Sequence, residues 1–261
     1  MTRAASIKQR AGIIGTLRAA GCVFAEGEAD LLLASAATPQ HLQTMVDRRI
    51  TGEPLEHIVG WAQFCGRRLE IDPGVFVPRH RTELLVRHAS KVASPGATVV
   101  DLCCGSGAVG AAIAAAIHGV RLFAVDIDPA AVYCARRNLN RLGAEVFEGD
   151  LYTPLPPDLR GRVDVLVANV PYVPTHEVSL LPHEARSHEP RAALDGGPDG
   201  LDMFRRVAAA ATAWLAPGGH LLVEASAAQS SLARDEMSRN GLASRVVHSE
   251  ELDATVVVGR V

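Results

Sequence analysis

The sequence has 261 residues and a formal net charge of −3, from 26 lysines and arginines against 29 aspartates and glutamates. Hydrophobic residues make up 48% of the chain and charged residues 21%, which excludes a disordered or collagen-like polypeptide. The length allows one large domain, or a large domain with a small additional one. Because nucleic-acid binding usually needs a basic surface, the near-neutral charge predicts no stable nucleic-acid partner.

Cysteine usage and the apolar runs predict where the protein resides. The five cysteines include no C-x-x-C pair, so we expect neither a disulfide framework nor a zinc site. The first ten residues are not followed by the apolar segment that a signal peptide needs. The longest apolar runs, such as residues 108–117, are well short of the roughly 18 residues that span a bilayer. We therefore expect a cytoplasmic protein with no membrane partner.

The N-terminal part of the chain has helical spacing. Apolar residues recur every three or four positions between residues 4 and 20, and a glycine then provides a stop. Two further short helices are predicted over residues 29–37 and 39–50, and a Gly-Glu-Pro triplet ends this region. Glycines and prolines punctuate residues 61–77, which predicts a β-hairpin or an extended linker. Residues 82–93 are predicted to be helical again.

Short apolar runs alternate with helical stretches in the remainder of the chain. The predicted strands cover residues 97–102, 121–125, 145–148, 163–168 and 220–224. The predicted helices cover residues 109–117, 129–142, 201–215 and 227–240. This alternation predicts a parallel sheet with helices on both faces. Two further strands, at 244–248 and 255–261, are joined by a short turn, which predicts an antiparallel strand at or near the sheet edge.

A glycine-rich loop, Gly105-Ser106-Gly107-Ala108-Val109-Gly110, follows the first of these strands. It fits the G-x-G-x-x-G pattern, in which glycines let the backbone approach a ligand closely. Asp126 ends the next strand, at the spacing expected for a carboxylate that binds ribose hydroxyls. NAD and S-adenosylmethionine both carry such a ribose, so the loop fits either ligand. A helix cap is another possible role for Asp126, but Asp128 suits it better because Pro129 follows.

Three further features favour S-adenosylmethionine over a dinucleotide. Asp101 lies inside the strand that precedes the glycines. Asp150 follows the third strand, where a carboxylate can bind the adenine amino group. The tetrapeptide Asn169-Val170-Pro171-Tyr172 ends the fourth strand. Polar groups at three strand ends, together with this tetrapeptide, predict a methyltransferase.

The tetrapeptide resembles the Asn/Asp-Pro-Pro-Tyr motif of methyltransferases that modify planar nitrogen atoms. An amide or aryl amine nitrogen is a poor nucleophile because its lone pair is delocalised. The side-chain oxygen of Asn169 and the backbone carbonyl of Val170 can hold its two N–H groups. Tyr172 can pack on the planar group, and Pro171 restrains the turn. Val170 stands where the motif has proline, which keeps the carbonyl and removes one constraint. The alternative is an Asn-Pro turn that only closes a strand.

The chain resembles the HemK/PrmC family of protein-(glutamine-N5) methyltransferases over nearly its whole length. The segments that carry the resemblance are Gly52-Glu53-Pro54-Leu55, Val75-Phe76-Val77-Pro78-Arg79, Thr82-Glu83, residues 101–107, Asp126, Asp150, the tetrapeptide, Glu189-Pro190, Ala193-Leu194, Gly196-Gly197, Asp199-Gly200-Leu201, Pro217-Gly218-Gly219 and Glu224. The resemblance implies an α/β fold, with a Rossmann-like class I methyltransferase domain over residues 79–261 built on a mostly parallel seven-stranded sheet. It also implies a small helical substrate-recognition domain over residues 1–58 and a β-hairpin linker over residues 59–78.

The resemblance further implies a reaction and a set of site residues. The reaction is methyl transfer from S-adenosylmethionine to a glutamine side-chain amide of a protein, such as a peptide-chain release factor or a ribosomal protein. The implied catalytic residues are Asn169, Val170, Pro171 and Tyr172. The implied cofactor-binding residues are Phe76, Pro78, Arg79, Cys103, Cys104, Gly105, Ser106, Gly107, Asp126, Ile127, Asp150, Leu151 and Asn169.

Other functions remain open on the sequence alone. Methyltransferases acting on a nucleic-acid amino group share the tetrapeptide, although the net charge of −3 argues against them. A non-catalytic module that holds the cofactor is expected if Val170 disables the pocket, and a dinucleotide enzyme is the third alternative. His176, His183 and His188 follow the tetrapeptide at spacings that fit no helical pair of ligands. We interpret them as loop histidines and expect no metal.

Overall fold

The computed structural model describes residues 3–261, with side chains from Ile7 onward, so Met1 and Thr2 of the predicted helical domain lie outside the described residues. The chain begins with four helices: α1 (Arg3–Ala19), α2 (Ala25–Ser35), α3 (Pro39–Ile50) and α4 (Leu55–Val59). Their buried apolar side chains, among them Leu17, Leu32 and Met45, form a hydrophobic core separate from that of the sheet. This part of the chain therefore has its own packing.

Local signals and one buried ion pair fix these helices. The Thr38 hydroxyl accepts a hydrogen bond from the backbone N–H of His41 at 3.1 Å, and Pro39 takes the first helical position of α3. Arg49, near the end of α3, donates to both carboxylate oxygens of Glu28 in α2, at 2.6 and 3.1 Å. Both side chains are buried, and Arg49 Nη1 also lies 2.7 Å from Glu184 Oε1, so losing Arg49 would leave the charge of Glu28 without compensation.

A hairpin and an extended segment connect the helices to the sheet. Strands β1 (Trp61–Phe64) and β2 (Arg67–Glu70) pair antiparallel. Residues 75–79, which we call the strap, have no regular secondary structure and precede a short 3-10 turn and helix α5 (Glu83–Val92). The buried His57 side chain lies 2.8 Å, through Nε2, from the carbonyl oxygen of Val75, which ties the end of the helical region to the strap.

The remainder of the chain forms a seven-stranded sheet with helices on both faces. The strands are β3 (Thr98–Leu102), β4 (Arg121–Asp126), β5 (Glu145–Glu148), β6 (Val163–Ala168), β7 (Leu215–Ala225), β8 (Ala243–Ser249) and β9 (Ala254–Arg260). Their order is β5-β4-β3-β6-β7-β9-β8, and β9 runs in the opposite direction to the other six strands. The helices are α6 (Ala108–Ala116), α7 (Pro129–Leu139), α8 (His183–His188), α9 (Asp202–Trp214) and α10 (Ser230–Arg239).

The two faces of the sheet bury two different hydrophobic cores. Val99 and Val100 are consecutive in β3 yet belong to different cores, because side chains alternate between the faces of a strand. Ile113 of α6 packs on one face, and Phe204 of α9 packs on the other. The predicted α/β fold with a mostly parallel seven-stranded sheet is confirmed, including the antiparallel strand next to the edge.

Two short helices, α4 and α8, were not predicted. They have five and six residues, which is too short to show a helical period in the sequence. The interpretation of three loop histidines is consequently wrong for His183 and His188, which begin and end α8. The proposed division at residues 58 and 78 stays a prediction. No helix among residues 3–261 is long and apolar enough to cross a membrane.

Candidate active site

The site lies at the point where the order of the parallel strands in the sheet reverses. From β3, the next strand lies on one side, at β4, and a later strand lies on the other, at β6, so a crevice opens at the carboxyl ends of these strands. A cavity of about 470 Å³ occupies this position. The strap, the tetrapeptide and the beginning of α8 line it, together with Pro54 and Glu56 from the helical region.

The glycine-rich loop turns sharply at the floor of this cavity. Gly105 and Gly107 have φ angles of 54° and 78°, in the left-handed region that favours glycine. A Cβ on Gly107 would lie 2.9 Å from Leu139 Cδ1, so the loop packs closely on α7. The backbone N–H of Gly105 donates to Asp126 Oδ2 at 2.7 Å, which fixes the loop against the end of β4.

Two carboxyl groups, one buried and one partly buried, flank the loop. Asp101 lies within β3 and accepts a hydrogen bond from the backbone N–H of Gly110 at 2.8 Å. Burial raises the pKa of Asp101 to about 7, although this hydrogen bond opposes the shift. Burial also raises the pKa of Asp126, whose Oδ1 accepts from the N–H of Asp128 at 3.0 Å. Each oxygen of Asp126 keeps a second lone pair, which suits it to accept from ligand hydroxyls.

The tetrapeptide places a polar atom without a partner at the cavity. Asn169 follows β6 directly and lines the cavity. Its Oδ1 is buried and has no hydrogen-bond partner among the described residues. A buried amide oxygen left in this way costs free energy, which makes this atom a candidate acceptor for an N–H of a bound molecule. Val170 is 2% exposed, so its side chain packs into the protein rather than into solvent.

The phenol of Tyr172 is held at the same end of the cavity. Its hydroxyl donates to Glu224 Oε1 at 3.1 Å, and Glu224 is the buried penultimate residue of the neighbouring strand β7. Burial raises the pKa of Tyr172 far above its ordinary value and also raises that of Glu224. The phenol therefore stays protonated and remains a hydrogen-bond donor.

Later parts of the chain support the backbone of the tetrapeptide. The side-chain N–H₂ of Gln229 donates to the carbonyl of Tyr172 at 2.8 Å and to that of Asp199 at 2.9 Å. Gly200 has a φ of 76°, and a Cβ there would collide with the carbonyl oxygen of Tyr172. The segment around residues 196–200 therefore needs glycine in order to pack against the tetrapeptide.

A buried carboxylate anchors the strap over the cavity. Glu189 accepts from the backbone N–H of Val77 at 3.2 Å, and Arg79 Nη2 lies 2.7 Å from both of its oxygens. The Glu189 side chain is 1% exposed, and the Arg79 guanidinium also lies 4.9 Å over the ring of Phe76. Burial raises the pKa of Glu189, an effect that Arg79 opposes.

Comparison with known proteins relates this geometry to an enzyme family. The family model described as Methyltransferase small domain matches residues 67–189. A release factor glutamine methyltransferase of Geobacter sulfurreducens is 42% identical over 199 residues, which are 76% of this chain and 69% of that protein. The chain belongs to the HemK/PrmC family. As a member of this family, it is an S-adenosylmethionine-dependent methyltransferase.

Two further comparisons concern another relative and a solved structure. A 4-amino-L-phenylalanine/4-methylamino-L-phenylalanine methyltransferase of Streptomyces pristinaespiralis is 39% identical over 215 residues, covering 80% of this chain and 73% of that protein. A methyltransferase structure from Pyrococcus furiosus has a TM-score of 0.55 at 16% identity and covers 74% of this chain and 87% of that one. The second comparison bears on the fold alone.

The residues present fit the cofactor of the HemK/PrmC family. The crevice lies at the carboxyl ends of the strands, Gly105 leaves open space where a side chain would project, and Asp126 offers carboxylate oxygens beside it. A cavity of about 470 Å³ is in the range of small-molecule sites. Asp126 and the glycine-rich loop would hold the adenosine, and Asn169 lines the same cavity.

The structure gathers most, but not all, of the residues predicted for cofactor binding. Those that line the cavity are Phe76, Pro78, Arg79, Cys103, Cys104, Gly105, Ser106, Asp126, Ile127 and Asn169. Gly107, Asp150 and Leu151 do not line it. Asp150 pairs with Arg206 at 2.6 Å, and Leu151 is buried in a hydrophobic core.

Sequence reasoning missed several residues at the site. Neither Arg81, which lines the cavity, nor Gln229 was predicted, and Glu189 was noted only within the family resemblance. Gln229 lies 57 positions after the tyrosine whose carbonyl it contacts, and no motif spacing links the two. The signal that could have found Glu189 is an acid next to proline, which is weak by itself because the surrounding residues are mostly polar.

Proposed function

We propose that this methyltransferase modifies the side-chain amide nitrogen of a glutamine in a protein, and that the acceptor is a cytoplasmic translation factor such as a peptide-chain release factor or a ribosomal protein. The observation that carries the proposal is the buried, unpartnered Oδ1 of Asn169 at the cavity. An amide N–H of the acceptor would satisfy this oxygen. The name of the Geobacter sulfurreducens relative, a release factor glutamine methyltransferase, supports the choice of acceptor.

The reaction would depend on orientation rather than on a strong base. When bound, S-adenosylmethionine supplies an electrophilic methyl group on a sulfonium. Asn169 Oδ1 and the carbonyl of Val170 would accept the two N–H groups of the amide and direct its nitrogen lone pair toward the methyl group. Tyr172, held by Glu224, would pack against the planar amide. Fixing both reactants in this way lowers the entropic part of the barrier.

The other predicted site residues have roles on the cofactor side. Asp126 would accept from the ribose hydroxyls, while Gly105 and Gly107 shape the loop beneath them. Asp150 and Leu151 would border the adenine, although Asp150 must share its carboxylate with Arg206. Phe76, Pro78 and Arg79 would close over the cofactor from the strap, and Cys103, Cys104, Ser106 and Ile127 would complete the walls.

Replacement of the motif proline by Val170 does not favour a non-catalytic module. The Val170 side chain is buried, and the backbone around the tetrapeptide is held by Gln229 and Gly200. Pro171 also restricts Val170 to extended geometry. The loop is therefore fixed without the second proline, which supports turnover.

A second acceptor is favoured by one specific observation. The methyltransferase of 4-amino-L-phenylalanine is nearly as similar to this chain as the release factor enzymes are. Its named substrate also presents a planar nitrogen attached to a conjugated system. An aryl amine would use the same two acceptors, Asn169 Oδ1 and the Val170 carbonyl.

The test is an acceptor search with isotopically labelled S-adenosylmethionine. We expect label on a glutamine of a release factor or ribosomal protein, located by mass spectrometry of tryptic peptides. Asn169→Ala should lower kcat by about 10²–10³, because it removes a hydrogen bond that orients the amide during methyl transfer. Asn240→Ala is the control, since that amide donates only to Glu236 at the end of α10.

Three outcomes contradict the proposal. Label that appears only in nuclease-sensitive material would assign the enzyme to nucleic acid. Label on 4-amino-L-phenylalanine with none on protein would favour the small-molecule reaction. Equal turnover by the Asn169 and Asn240 variants would remove the role given to Asn169.

A further inference from the structure

Asn138, in the last turn of α7, contacts both the β1–β2 hairpin and the glycine-rich loop. Its Nδ2 donates to the carbonyl oxygen of Ser106 in the loop and to that of Glu70 at the end of β2, each at 2.9 Å. Its Oδ1 accepts from the backbone N–H of Glu70 at 2.8 Å. The partners lie 68 and 32 positions earlier in the chain, so this one side chain joins three separate segments.

The three contacts are satisfied together by only one orientation of the Asn138 amide. The carbonyls of Ser106 and Glu70 cannot donate, so both must face the N–H₂ group, which has two donors. The N–H of Glu70 cannot accept and therefore faces the amide oxygen. Two hydrogen bonds to Glu70 thus fix the amide, and they leave one N–H for the loop.

The carbonyl of Ser106 belongs to a peptide unit at the floor of the cavity. Ser106 is buried and lines the cavity. On the other side of the same peptide unit, the N–H of Gly107 donates to the carbonyl of Cys104 at 2.8 Å. With the hydrogen bond from Asn138, both polar groups of this unit have partners within the protein. These two bonds therefore help to set the shape of the loop.

Loss of the N–H₂ group of Asn138 would release one side of this peptide unit. The carbonyl of Ser106 would then need another donor, because a partly buried carbonyl without one costs free energy. The N–H of Gly105, one residue earlier, donates to Asp126. A shift of the loop would therefore reach the carboxylate that suits the ribose hydroxyls.

We propose that Asn138 is a positioning residue for the cofactor. It holds the glycine-rich loop, and through the loop Asp126, in the geometry that binds the adenosine of S-adenosylmethionine. The hairpin is the support from which the amide acts, since Glu70 fixes its orientation. The proposal concerns the methyl donor alone and does not depend on which acceptor is methylated.

The test is calorimetric binding of S-adenosylhomocysteine to the whole protein. Asn138→Asp keeps the size of the side chain and an oxygen for the N–H of Glu70, but it places a second oxygen opposite two carbonyls. We expect this variant to bind about tenfold more weakly than the wild type, as the loss of a hydrogen bond predicts. Asn138→Ala introduces no charge and should bind roughly threefold or more weakly.

Arg137→Gln is the matched control at the neighbouring position. Arg137 holds the same hairpin through Glu70 Oε2 and Asp72 Oδ1, both at 2.7 Å. Within residues 7–261 its hydrogen bonds do not include the glycine-rich loop. Exposed ion pairs contribute little, so the control should keep the wild-type affinity within roughly twofold. Thermal unfolding identifies a temperature at which every variant is folded, and binding is measured there.

A loss of affinity confined to the two Asn138 variants supports the proposal. A lower unfolding midpoint with unchanged affinity would overturn it, because Asn138 would then only stabilise the fold. An equal loss in Arg137→Gln would also overturn it, since attachment of the hairpin rather than the contact with Ser106 would be responsible. Hydrogen exchange of the ligand-free protein gives a second readout. Amides of residues 104–108 should exchange faster in Asn138→Asp, and unchanged exchange there would contradict the role of the loop contact.

Discussion

The buried carboxyl of Asp101 should make the stability of this protein fall as pH rises from about 4 to about 7. In the unfolded chain this group ionises near 3.8, whereas burial in β3 raises its pKa to about 7 in the folded protein. Between these values the folded state holds a proton that the unfolded state has released. The stability that Asp101 contributes is therefore fully present below its pKa in the unfolded chain. It is lost as the pH rises through its pKa in the folded protein.

The magnitude follows from the size of the shift. One bound proton changes the free energy of unfolding by about 1.4 kcal/mol per pH unit. Over a window of roughly three pH units the free energy of unfolding therefore changes by about 4 kcal/mol, which is an upper limit for the contribution of Asp101. Asp101→Asn keeps an oxygen that can accept from the N–H of Gly110 but carries no ionisable group. The stability of the variant should therefore depend less on pH than that of the wild type.

The measurement is urea unfolding between about pH 4 and pH 7 in the presence of a reductant, followed by tryptophan fluorescence. The control is Asp164→Asn, which removes an exposed carboxylate on β6 that accepts from the backbone N–H of Thr98 at 2.8 Å. The difference between Asp101→Asn and wild type should grow in favour of the variant as pH rises. Parallel curves for the two proteins across this window would refute the reasoning.

Three other substitutions test the packing around the site. Gly200→Ala should lower both stability and activity, because the added Cβ would displace the carbonyl of Tyr172. Thermal unfolding and kcat are the measurements, and an unchanged kcat would contradict this prediction. Glu189→Gln should weaken cofactor binding by roughly tenfold, since Arg79 loses its charged partner. Equal calorimetric affinities of the variant and the wild type for the cofactor would count against the role of the strap. Thr38→Ala should cost about 1 kcal/mol of unfolding free energy through loss of the α3 cap, whereas Thr38→Ser should restore it.

The regular elements could be predicted because their signals are local. Strands β5 and β6 have the bounds expected from the apolar runs alone, and Asp128 caps α7 as the following proline suggested, accepting from the N–H of Ala130. The glycine-rich loop and Asp126 are likewise close in sequence to the strands that place them. Short-range patterns of this kind carry enough information to define the sheet and the crevice at its switch point.

The parts that could not be predicted depend on contacts between distant positions. Nothing in the sequence near Glu189 indicates that it accepts from Val77, which lies 112 positions earlier. The pairing of Asp150 with Arg206 is also a tertiary contact, and it is absent from any strand-end pattern. Helices α4 and α8 form because tertiary packing stabilises single turns that their own sequences do not specify.

The two hydrogen bonds of Gln229 set the order in which the two halves of the site can be completed during synthesis. The cofactor loop and Asp126 emerge early and belong to neighbouring strands, whereas the backbone of Tyr172 receives its support from a side chain 57 positions later. A nascent chain that ends before residue 229 therefore already contains the glycine-rich loop and Asp126, whereas the Tyr172 carbonyl still lacks the side chain that supports it. The capacity to hold the methyl donor would then arise before the capacity to orient an amide.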